Sequence, residues 1–201
     1  MSVPSDEKLF REYLDGRAAS FELLVRRHAA ELFQFVLRFT NDAMAAEDVV
    51  QESFLQVHTS AESFDLRRKF KPWLFTIAAN KARDHLRRRT RRSELPIDAV
   101  VDAADGAGKR FVELLSADAP PVDEALVVED KRRAVRAAVE AMPEKLREML
   151  ILAYYHHFPY QEIAEVVGVP LGTVKSRLHA AVVAFRGAYE AVIGEQSRRE
   201  S

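Results

Sequence analysis

Eighteen consecutive residues, 160–177, constrain the fold of this chain more than any other stretch: YQEIAEVVGVPLGTVKSR. Ala164 is small enough for two helices to cross closely, and Gly168, four residues later, lets the chain turn where a side chain would clash. The segment from Gly168 to Pro170 then ends one helix and begins another, because proline suits the first turn of a helix. The pattern predicts a helix-turn-helix.

The second helix of this motif has an apolar side and a polar side. Val174 and Leu178 lie four residues apart, so we expect both to face the interior. The side chains left on the outer faces are Thr173, Lys175, Ser176, Arg177 and His179. Such groups donate hydrogen bonds to phosphates and to base edges in a major groove. We therefore predict DNA binding. An ordinary helical hairpin is the alternative, and it does not account for the glycine, the proline and the polar face together.

The net charge of −1 conceals a strong segregation of charge along the chain. Residues 67–92 contain eleven Lys or Arg and one acid, whereas residues 93–130 contain ten acids and two bases. Residues 171–189 contain three bases and no acid. Blocks of one sign indicate partners more than a mixed surface does. Two basic stretches separated by an acidic one predict two nucleic-acid contacts.

Helical periodicity runs through most of the remaining chain, and no segment has a convincing strand pattern. Asn41 and Asp42 are suited to cap one helix, and Pro72 to begin the next. Helices are predicted over about 21–37, 43–58, 72–89, 126–142 and 144–155. The intervening Pro, Gly, Ala and acidic residues have a linker composition. The sequence therefore predicts an all-α protein of two small helical domains joined by an acidic flexible linker. The predicted parts are 1–92, the linker 93–128, and 129–194.

The helix that begins near Pro72 has a face suited to single-stranded bases. Its predicted core side is Leu74, Phe75, Ala78, Ala82 and Leu86. The opposite side holds Trp73, Thr76, Asn80, Asp84 and Arg87, with Ile77 at the margin. Aromatic, amide and guanidinium groups supply stacking, edge recognition and phosphate charge. Phe64 and Phe70 add aromatic surface upstream, although each of these aromatic residues could instead belong to the core.

The helix over about 43–58 has an acidic face of a different kind. Its predicted core side is Ala46, Val50, Phe54 and Val57. The other side holds Asp48, Gln51, Glu52 and Leu55. An acidic face that contains a leucine is unsuited to DNA and suited to a basic protein partner. A plain solvated helix face remains the alternative.

Several functional classes find no support in the composition. The chain has no cysteine, its first residues lack the apolar core of a signal peptide, and no apolar run approaches the ~20 residues of a membrane span. We expect a cytoplasmic protein without membrane insertion. The six histidines are scattered, with no HExxH motif and no carboxylate cluster at ligand spacing. We therefore predict no enzyme activity, no metal and no cofactor.

Three motifs occur in order along the chain: AED-x-x-Q from residue 46, WL-x-x-IA-x-N-x-x-x-D from residue 73, and EIA…GTVKSRL from residue 162. In this combination the chain resembles bacterial RNA polymerase sigma factors, and most of all the small two-domain extracytoplasmic-function group. The resemblance implies that the first domain, called region 2, binds the clamp helices of core RNA polymerase and melts the minus-10 promoter element. It implies that the second, called region 4, binds the polymerase flap and reads the minus-35 element.

The resemblance also implies roles for individual residues, namely Asp48, Gln51, Glu52, Phe64, Trp73, Asn80, Lys175, Ser176 and Arg177, and the other residues predicted for each contact are added from their position beside these on the same elements. The polymerase contact corresponds to Asp48, Gln51, Glu52 and Leu55. The minus-10 contact corresponds to Phe64, Trp73, Thr76, Asn80, Arg83, Arg87 and Arg88. Among these, Phe64 and Asn80 match a pocket for a flipped-out base, and Trp73 matches the aromatic residue beside the melted strand. The minus-35 contact corresponds to Thr173, Lys175, Ser176, Arg177 and His179. An anti-sigma factor is a further implied partner.

One departure from the family and three alternative functions bear on this interpretation. The family usually places arginines where this chain has Ala180-Ala181-Val182, which predicts weaker phosphate contacts there. A helix-turn-helix regulator that is not a polymerase subunit accounts for 144–180 but gives residues 67–92 no role. An RNA-binding adaptor accounts for that basic helix and not for the helix-turn-helix. A metal-dependent nuclease lacks a set of ligands.

Overall fold

The computed structural model describes residues 3–93 and 122–199, and none of these residues lies in a β-strand. The predicted all-α class is therefore confirmed. The helices are α1 (Asp6–Leu14), α2 (Ala18–Thr40), α3 (Ala43–Thr59), α4 (Phe70–Ser93), α5 (Val122–Glu140), α6 (Glu144–Leu150), α7 (Tyr160–Val167) and α8 (Leu171–Arg199), with a 3₁₀ turn at Ala61–Ser63 and a π-helical turn at Ile151–Tyr155. The chain divides into two compact units. One holds α1–α4 and the other most of the chain from α5 onward. Each is described by itself.

In the N-terminal unit, α2 packs against α1, α3 and α4, and α3 packs against α4. The cap predicted for α3 at Asn41 and Asp42 is confirmed at Asp42, whereas Asn41 ends the preceding helix instead. Asn41 adopts a left-handed conformation with φ of 53°, which ends α2. The Asp42 side chain then accepts the backbone N–H of Ala45 at 3.0 Å, which satisfies one free donor at the start of α3.

The residues predicted to form the core side of α3 and α4 are buried, except for one residue of α4, and two further residues of α4 are buried as well. Leu86, predicted to be core, is only half-buried. Ile77, predicted at the margin of the polar side, is buried with 6 % of its surface exposed. Ala79 is buried as well. The apolar face of α4 is therefore wider than its sequence spacing indicates, because α4 contacts α1 and α2 as well as α3.

Helix α1 was not predicted from the sequence, since it has few apolar residues. Ser5 caps it by accepting the backbone N–H of Lys8 at 3.3 Å, and Leu9 and Phe10 are buried. Polar contacts fix its first turn. Asp6 Oδ1 lies 2.5 Å from Arg27 Nη1, and its other oxygen lies 2.8 Å from His28 Nε2. A helix with a small apolar face is thus held to α2 by charge-assisted hydrogen bonds as well.

The Asp6 contacts predict an acid-dependent contribution to stability. Burial alone would raise the pKa of Asp6, but the hydrogen bonds and charges of His28 and Arg27 outweigh it and lower the pKa below 3.8. A lowered folded-state pKa means that the contribution is present above pH ~3.8 and is lost as the pH falls through the folded-state pKa. Asp6→Asn should therefore reduce the free energy of unfolding at pH 7, and the difference from wild type should shrink toward pH 3. Urea unfolding at both pH values measures this.

A matched control for Asp6→Asn is Glu22→Gln. Glu22 pairs with Arg26 at 2.5 Å, but both side chains are more than half exposed. Exposed pairs contribute little, so we expect this variant to unfold like the wild type at both pH values. A loss for Asp6→Asn that is equally large at pH 3 and pH 7 would contradict the charge-based account.

In the C-terminal unit, α5 and α6 both pack against α8. Helix α5 begins at Val122, before the predicted start near Leu126 and inside the predicted linker 93–128. Residues 94–121 of that linker lie outside the described residues. The single helix predicted over 144–155 is instead α6 followed by the π-helical turn, where the His156 N–H donates to the Ile151 carbonyl oxygen at 3.2 Å.

The helix-turn-helix forms as predicted from α7 and the start of α8. Gly168 has φ of 70°, a conformation in which side chains are strained, so the turn requires this glycine. The Val169 N–H donates to the Ala164 carbonyl oxygen at 3.1 Å and the Val174 N–H to the Pro170 carbonyl oxygen at 3.1 Å. Helix α8 continues past residue 194, the predicted end of the second domain. Within residues 3–93 and 122–199, no helix is long and apolar enough to span a membrane.

Candidate partner and nucleic-acid surfaces

Helix α3 presents one outward side that we call the α3 face, formed by Asp48, Gln51, Glu52 and Leu55. All four side chains are exposed. Leu55 is 61 % exposed among acidic and amide groups, and Met44, one turn earlier than Asp48, is 59 % exposed. Sequence reasoning missed Met44, although its spacing of four from Asp48 places it on the same side. The face thus combines exposed apolar groups with negative charge, the chemistry expected for a basic protein partner.

The α3 face is linked to α4 by one ion pair. Lys81 Nζ donates to Glu52 Oε2 at 3.0 Å, and the Glu52 side chain stays 58 % exposed. A pair this open to water contributes little to stability and leaves the carboxylate accessible. Asp48 and Glu52, four residues apart, therefore place two carboxylates on the surface of α3, and one of them is paired with Lys81.

An aromatic cluster lies where α1, the loop before α4, and α4 meet. The Phe64 and Trp73 rings stack with centroids 4.3 Å apart and an interplanar angle of 30°. Phe10 meets both rings edge-on, at 5.2 Å from Phe64 and 5.7 Å from Trp73. Phe64 is 8 % exposed and Phe70 is fully buried, whereas Trp73 is half-buried. The two phenylalanines are therefore on the interior side of the cluster, and Trp73 contributes more of the cluster's accessible surface.

The predicted polar side of α4 begins next to Trp73. The Thr76 hydroxyl donates to the Pro72 carbonyl oxygen at 2.8 Å, which leaves the hydroxyl oxygen as an outward acceptor. Asn80 is exposed, and its Oδ1 accepts Arg83 Nη1 at 2.7 Å. Arg87 is exposed and paired with Asp84, and Arg88 is exposed as well. The residues predicted for the minus-10 contact thus lie along the loop before α4 and along α4 itself, and among them Phe64 is buried and not part of the outer surface.

In the first turns of α8, the apolar residues are buried and the polar residues lie on the outer side, as predicted. Val174 is fully buried and Leu178 is 5 % exposed. Outward, Lys175, Ser176 and His179 are exposed, and Thr173 and Arg177 are half-buried. The Ser176 hydroxyl donates to the Thr173 carbonyl oxygen at 3.0 Å, so this hydroxyl is partly engaged by its own helix. No acid lies between residues 171 and 189, and the outer side of this helix is therefore positive.

Among the described residues, no three His, Cys, Asp or Glu side chains gather as a metal site would need. The surfaces are instead an acidic face, a basic aromatic face and a helix-turn-helix with a positive second helix. Together they define an all-helical DNA-binding protein with an additional surface for a protein partner.

Comparison with known proteins identifies the family. The family described as Sigma-70 region 2 matches residues 24–92, and the one described as Sigma-70, region 4 matches residues 132–184. The RNA polymerase sigma-H factor of Pseudomonas aeruginosa is 31 % identical over 97 % of this chain and 99 % of its own length. The ECF RNA polymerase sigma-E factor of Salmonella typhimurium is 31 % identical over 88 % of this chain and 90 % of its own length.

A solved structure shares the fold. The sigma factor RpoE of Bartonella quintana, crystallised with the anti-sigma factor NepR, aligns with a TM-score of 0.61 and 23 % identity over 85 % of this chain and 96 % of that one. The chain belongs to the sigma-70 family of RNA polymerase sigma factors, in its extracytoplasmic-function group. It is a sigma factor, and a regulator that acts apart from RNA polymerase is not favoured. Sigma factors are non-catalytic factors of transcription initiation.

Proposed function

We propose that this sigma factor uses three surfaces in sequence: the α3 face for core RNA polymerase, the Trp73–Arg88 side of α4 for the minus-10 element, and the outer side of α8 for the minus-35 element. The observation that carries the proposal is the α3 face. Leu55 and Met44, 61 % and 59 % exposed, lie on one side of α3 together with Asp48 and Glu52, and a partner that supplies both apolar contact and positive charge would complement this combination.

In this proposal residues 1–92 act as region 2 and residues 129–194 as region 4, joined by the acidic linker 93–128. The clamp helices of core polymerase bind the α3 face, and the polymerase flap binds region 4. The protein acts in the cytoplasm with its polymerase, and it catalyses no reaction itself. An anti-sigma factor is a further partner. The structural relative from Bartonella quintana, which was crystallised with such a protein, supports this last assignment only through the shared fold.

The experiment that tests the function is run-off transcription in vitro. Purified full-length protein is mixed with core RNA polymerase and with genomic fragments as templates. We expect discrete transcripts that require the protein, and their start sites define the promoter. Co-elution of the protein with core polymerase on a sizing column is the accompanying binding test. If the protein binds DNA in a gel-shift assay but neither co-elutes with core polymerase nor supports transcription, it is a regulator that acts apart from RNA polymerase.

The outer side of α8 gives a prediction about promoter recognition. Arg177→Ala should reduce binding by ~1–3 kcal/mol and relax specificity at one position of the minus-35 element, since arginine can bind a base edge through two hydrogen bonds. Lys175→Ala should weaken binding to all sequences alike if the lysine contacts phosphate. Transcription by the reconstituted holoenzyme from promoters substituted at each minus-35 position measures both effects.

Glu190→Ala, an exposed acid on the same helix, is the control for a charge change on α8. It should not alter the ranking of the substituted promoters. Equal losses on every promoter for both Arg177→Ala and Lys175→Ala would mean that neither residue reads sequence, and base recognition would then have to be sought elsewhere on the helix.

A further inference from the structure

One carboxylate organises the loop between the 3₁₀ turn and α4. Asp65 Oδ1 accepts the backbone N–H of Arg67 at 3.0 Å, and the Asp65 carbonyl oxygen accepts the backbone N–H of Arg68 at 2.9 Å. The same carboxylate also accepts the Arg67 side chain, with Nε 2.9 Å from Oδ1 and Nη2 2.9 Å from Oδ2. Both the path of the loop and the direction of the Arg67 guanidinium thus depend on Asp65.

This arrangement is unusual for a side chain so exposed to solvent. The Arg67 side chain is 90 % exposed and the Asp65 side chain 41 %. A surface arginine ordinarily samples many rotamers, and ordering it costs conformational entropy. The Arg67 hydrogen bonds lower the pKa of Asp65 to about 2, as expected for a carboxylate that accepts two guanidinium N–H groups. The two hydrogen bonds to Asp65 therefore favour one direction of the guanidinium, although the side chain is open to solvent.

The donors that remain on Arg67 point away from Asp65. A guanidinium has five N–H groups, and the carboxylate uses the Nε–H and one on Nη2. The edge formed by Nη1 and Nη2 keeps parallel N–H groups, which match two neighbouring acceptors on one ligand. Two oxygens of a phosphate and the O6 and N7 atoms of a guanine both present such a pair.

We infer that Asp65 is a positioning residue that directs the free edge of Arg67 toward a pair of acceptors on promoter DNA beside the Trp73 and Asn80 surface. The location follows from the chain, since Asp65 directly follows Phe64, whose ring stacks on Trp73. This inference rests on the proposed minus-10 role of α4. It adds two residues, Asp65 and Arg67, that the family resemblance did not assign.

Removal of the Asp65 carboxylate should change promoter affinity in opposite directions if Arg67 acts only through its charge and if Asp65 positions it. A carboxylate beside Arg67 reduces the positive potential of the loop. If Arg67 acted only through its charge, removal of Asp65 would strengthen DNA binding. If Asp65 positions Arg67, the same change frees the guanidinium to move and weakens promoter binding in spite of the added positive potential.

The experiment uses the full-length protein with core RNA polymerase and a promoter defined by run-off transcription. Arg67→Ala and Asp65→Asn are measured singly and together for holoenzyme binding to that promoter, and on templates substituted at each minus-10 position. We expect Arg67→Ala to lower promoter affinity about tenfold. Asp65→Asn should lower it several-fold in the wild-type background and have little effect once Arg67 is absent. Thermal unfolding confirms that each variant is folded.

The matched control is the same double-mutant cycle with Arg68, whose backbone N–H donates to the Asp65 carbonyl oxygen but whose side chain does not donate to the Asp65 carboxylate. Asp65→Asn and Arg68→Ala should couple much more weakly than Asp65→Asn and Arg67→Ala, because Arg68 acts on the Asp65 carboxylate only through its charge. A loss for Arg67→Ala at one base position identifies a guanine edge as the acceptor pair, and a uniform loss identifies a phosphate; both support the inference. Tighter or unchanged promoter binding by Asp65→Asn overturns it.

An Asn80→Ala arm separates this inference from the proposed function. If Asn80→Ala impairs promoter use and the Asp65 and Arg67 variants do not, the positioning role is wrong and the minus-10 role of α4 stands. If Asn80→Ala, Arg87→Ala and Arg88→Ala all leave promoter use unchanged, the minus-10 assignment itself is wrong.

Discussion

Replacement of both Asp48 and Glu52 by arginine should abolish stable binding to core RNA polymerase while the N-terminal unit stays folded. Both side chains are exposed on one side of α3, so neither change disturbs packing. Each change places a positive charge where the proposed partner is also positive. Like charges brought together at an interface cost several kcal/mol, and a loss of about a hundredfold or more in affinity follows.

We expect the variant with both Asp48→Arg and Glu52→Arg to stay folded, because the two changes remove few contacts. Within the part of the chain that the structure describes, the ion pair that it removes is the one between Glu52 and Lys81 on the surface, and such pairs contribute at most ~1 kcal/mol. The buried side of α3, which includes Val50, Phe54 and Val57, is untouched. A circular dichroism melt that matches the wild type within a few degrees would verify this.

A matched control carries the same change of charge elsewhere in the same unit. Asp15→Arg with Glu22→Arg also replaces two exposed acids, one at the end of α1 and one on α2. We expect this pair to bind core polymerase nearly as well as the wild type at physiological salt, because screening leaves only local charge effects. Equal affinity of the α3 variant and the control, measured by pull-down and by sizing column, would remove the α3 face from the polymerase interface.

The elements that sequence predicts well are those whose pattern is local. The apolar spacing of α3 and the cap at Asp42 specify a helix with one buried side, and both are found as expected. The turn at Gly168 is equally local, since a positive φ is a property of that residue. The separation of α8 into buried Val174 and exposed Lys175 follows from helical geometry alone.

The features that sequence reasoning missed depend on contacts between distant residues. Helix α1 contributes Phe10 to a cluster with Phe64 and Trp73, more than fifty residues away in sequence, and no local pattern indicates this. The burial of Ile77 likewise follows from packing of α4 against several helices. The contact between Asp65 and Arg67 is an exception, since an Asp two residues before an Arg is a local signal for such a turn.

The second large effect is expected on the opening of the promoter strands, and Trp73 is the residue whose replacement should affect it most. Trp73→Ala should leave closed promoter complexes nearly unchanged and reduce the open-complex population by about tenfold, since base stacking on an aromatic side chain contributes ~1–3 kcal/mol per base. Asn80→Ala should act in the same direction, because an extruded base needs hydrogen bonds to its edge as well as stacking. We propose that the energy for opening comes from capture of bases exposed by thermal breathing.

The burial of Phe64 decides which variants test its part in melting. Phe64 is only 8 % exposed and stacks beneath Trp73, so Phe64→Ala would leave a cavity and cost about 3–5 kcal/mol of stability. Phe64→Leu keeps most of the volume and removes the aromatic ring. Its effect on open complexes should be smaller than that of Trp73→Ala if Phe64 acts mainly as a support for the tryptophan.

Permanganate reactivity of thymines in the promoter measures strand opening directly. Trp73→Ala and Asn80→Ala should lower this reactivity on duplex templates, and a template with a pre-melted bubble should restore much of the lost transcription, because the bases no longer have to be unpaired. Glu62→Ala, an exposed residue beside the same loop, serves as the control and should leave reactivity unchanged. If both test variants keep wild-type thymine reactivity on duplex DNA, Trp73 and Asn80 take no part in melting, and the aromatic cluster is then a purely structural contact between α1, the loop and α4.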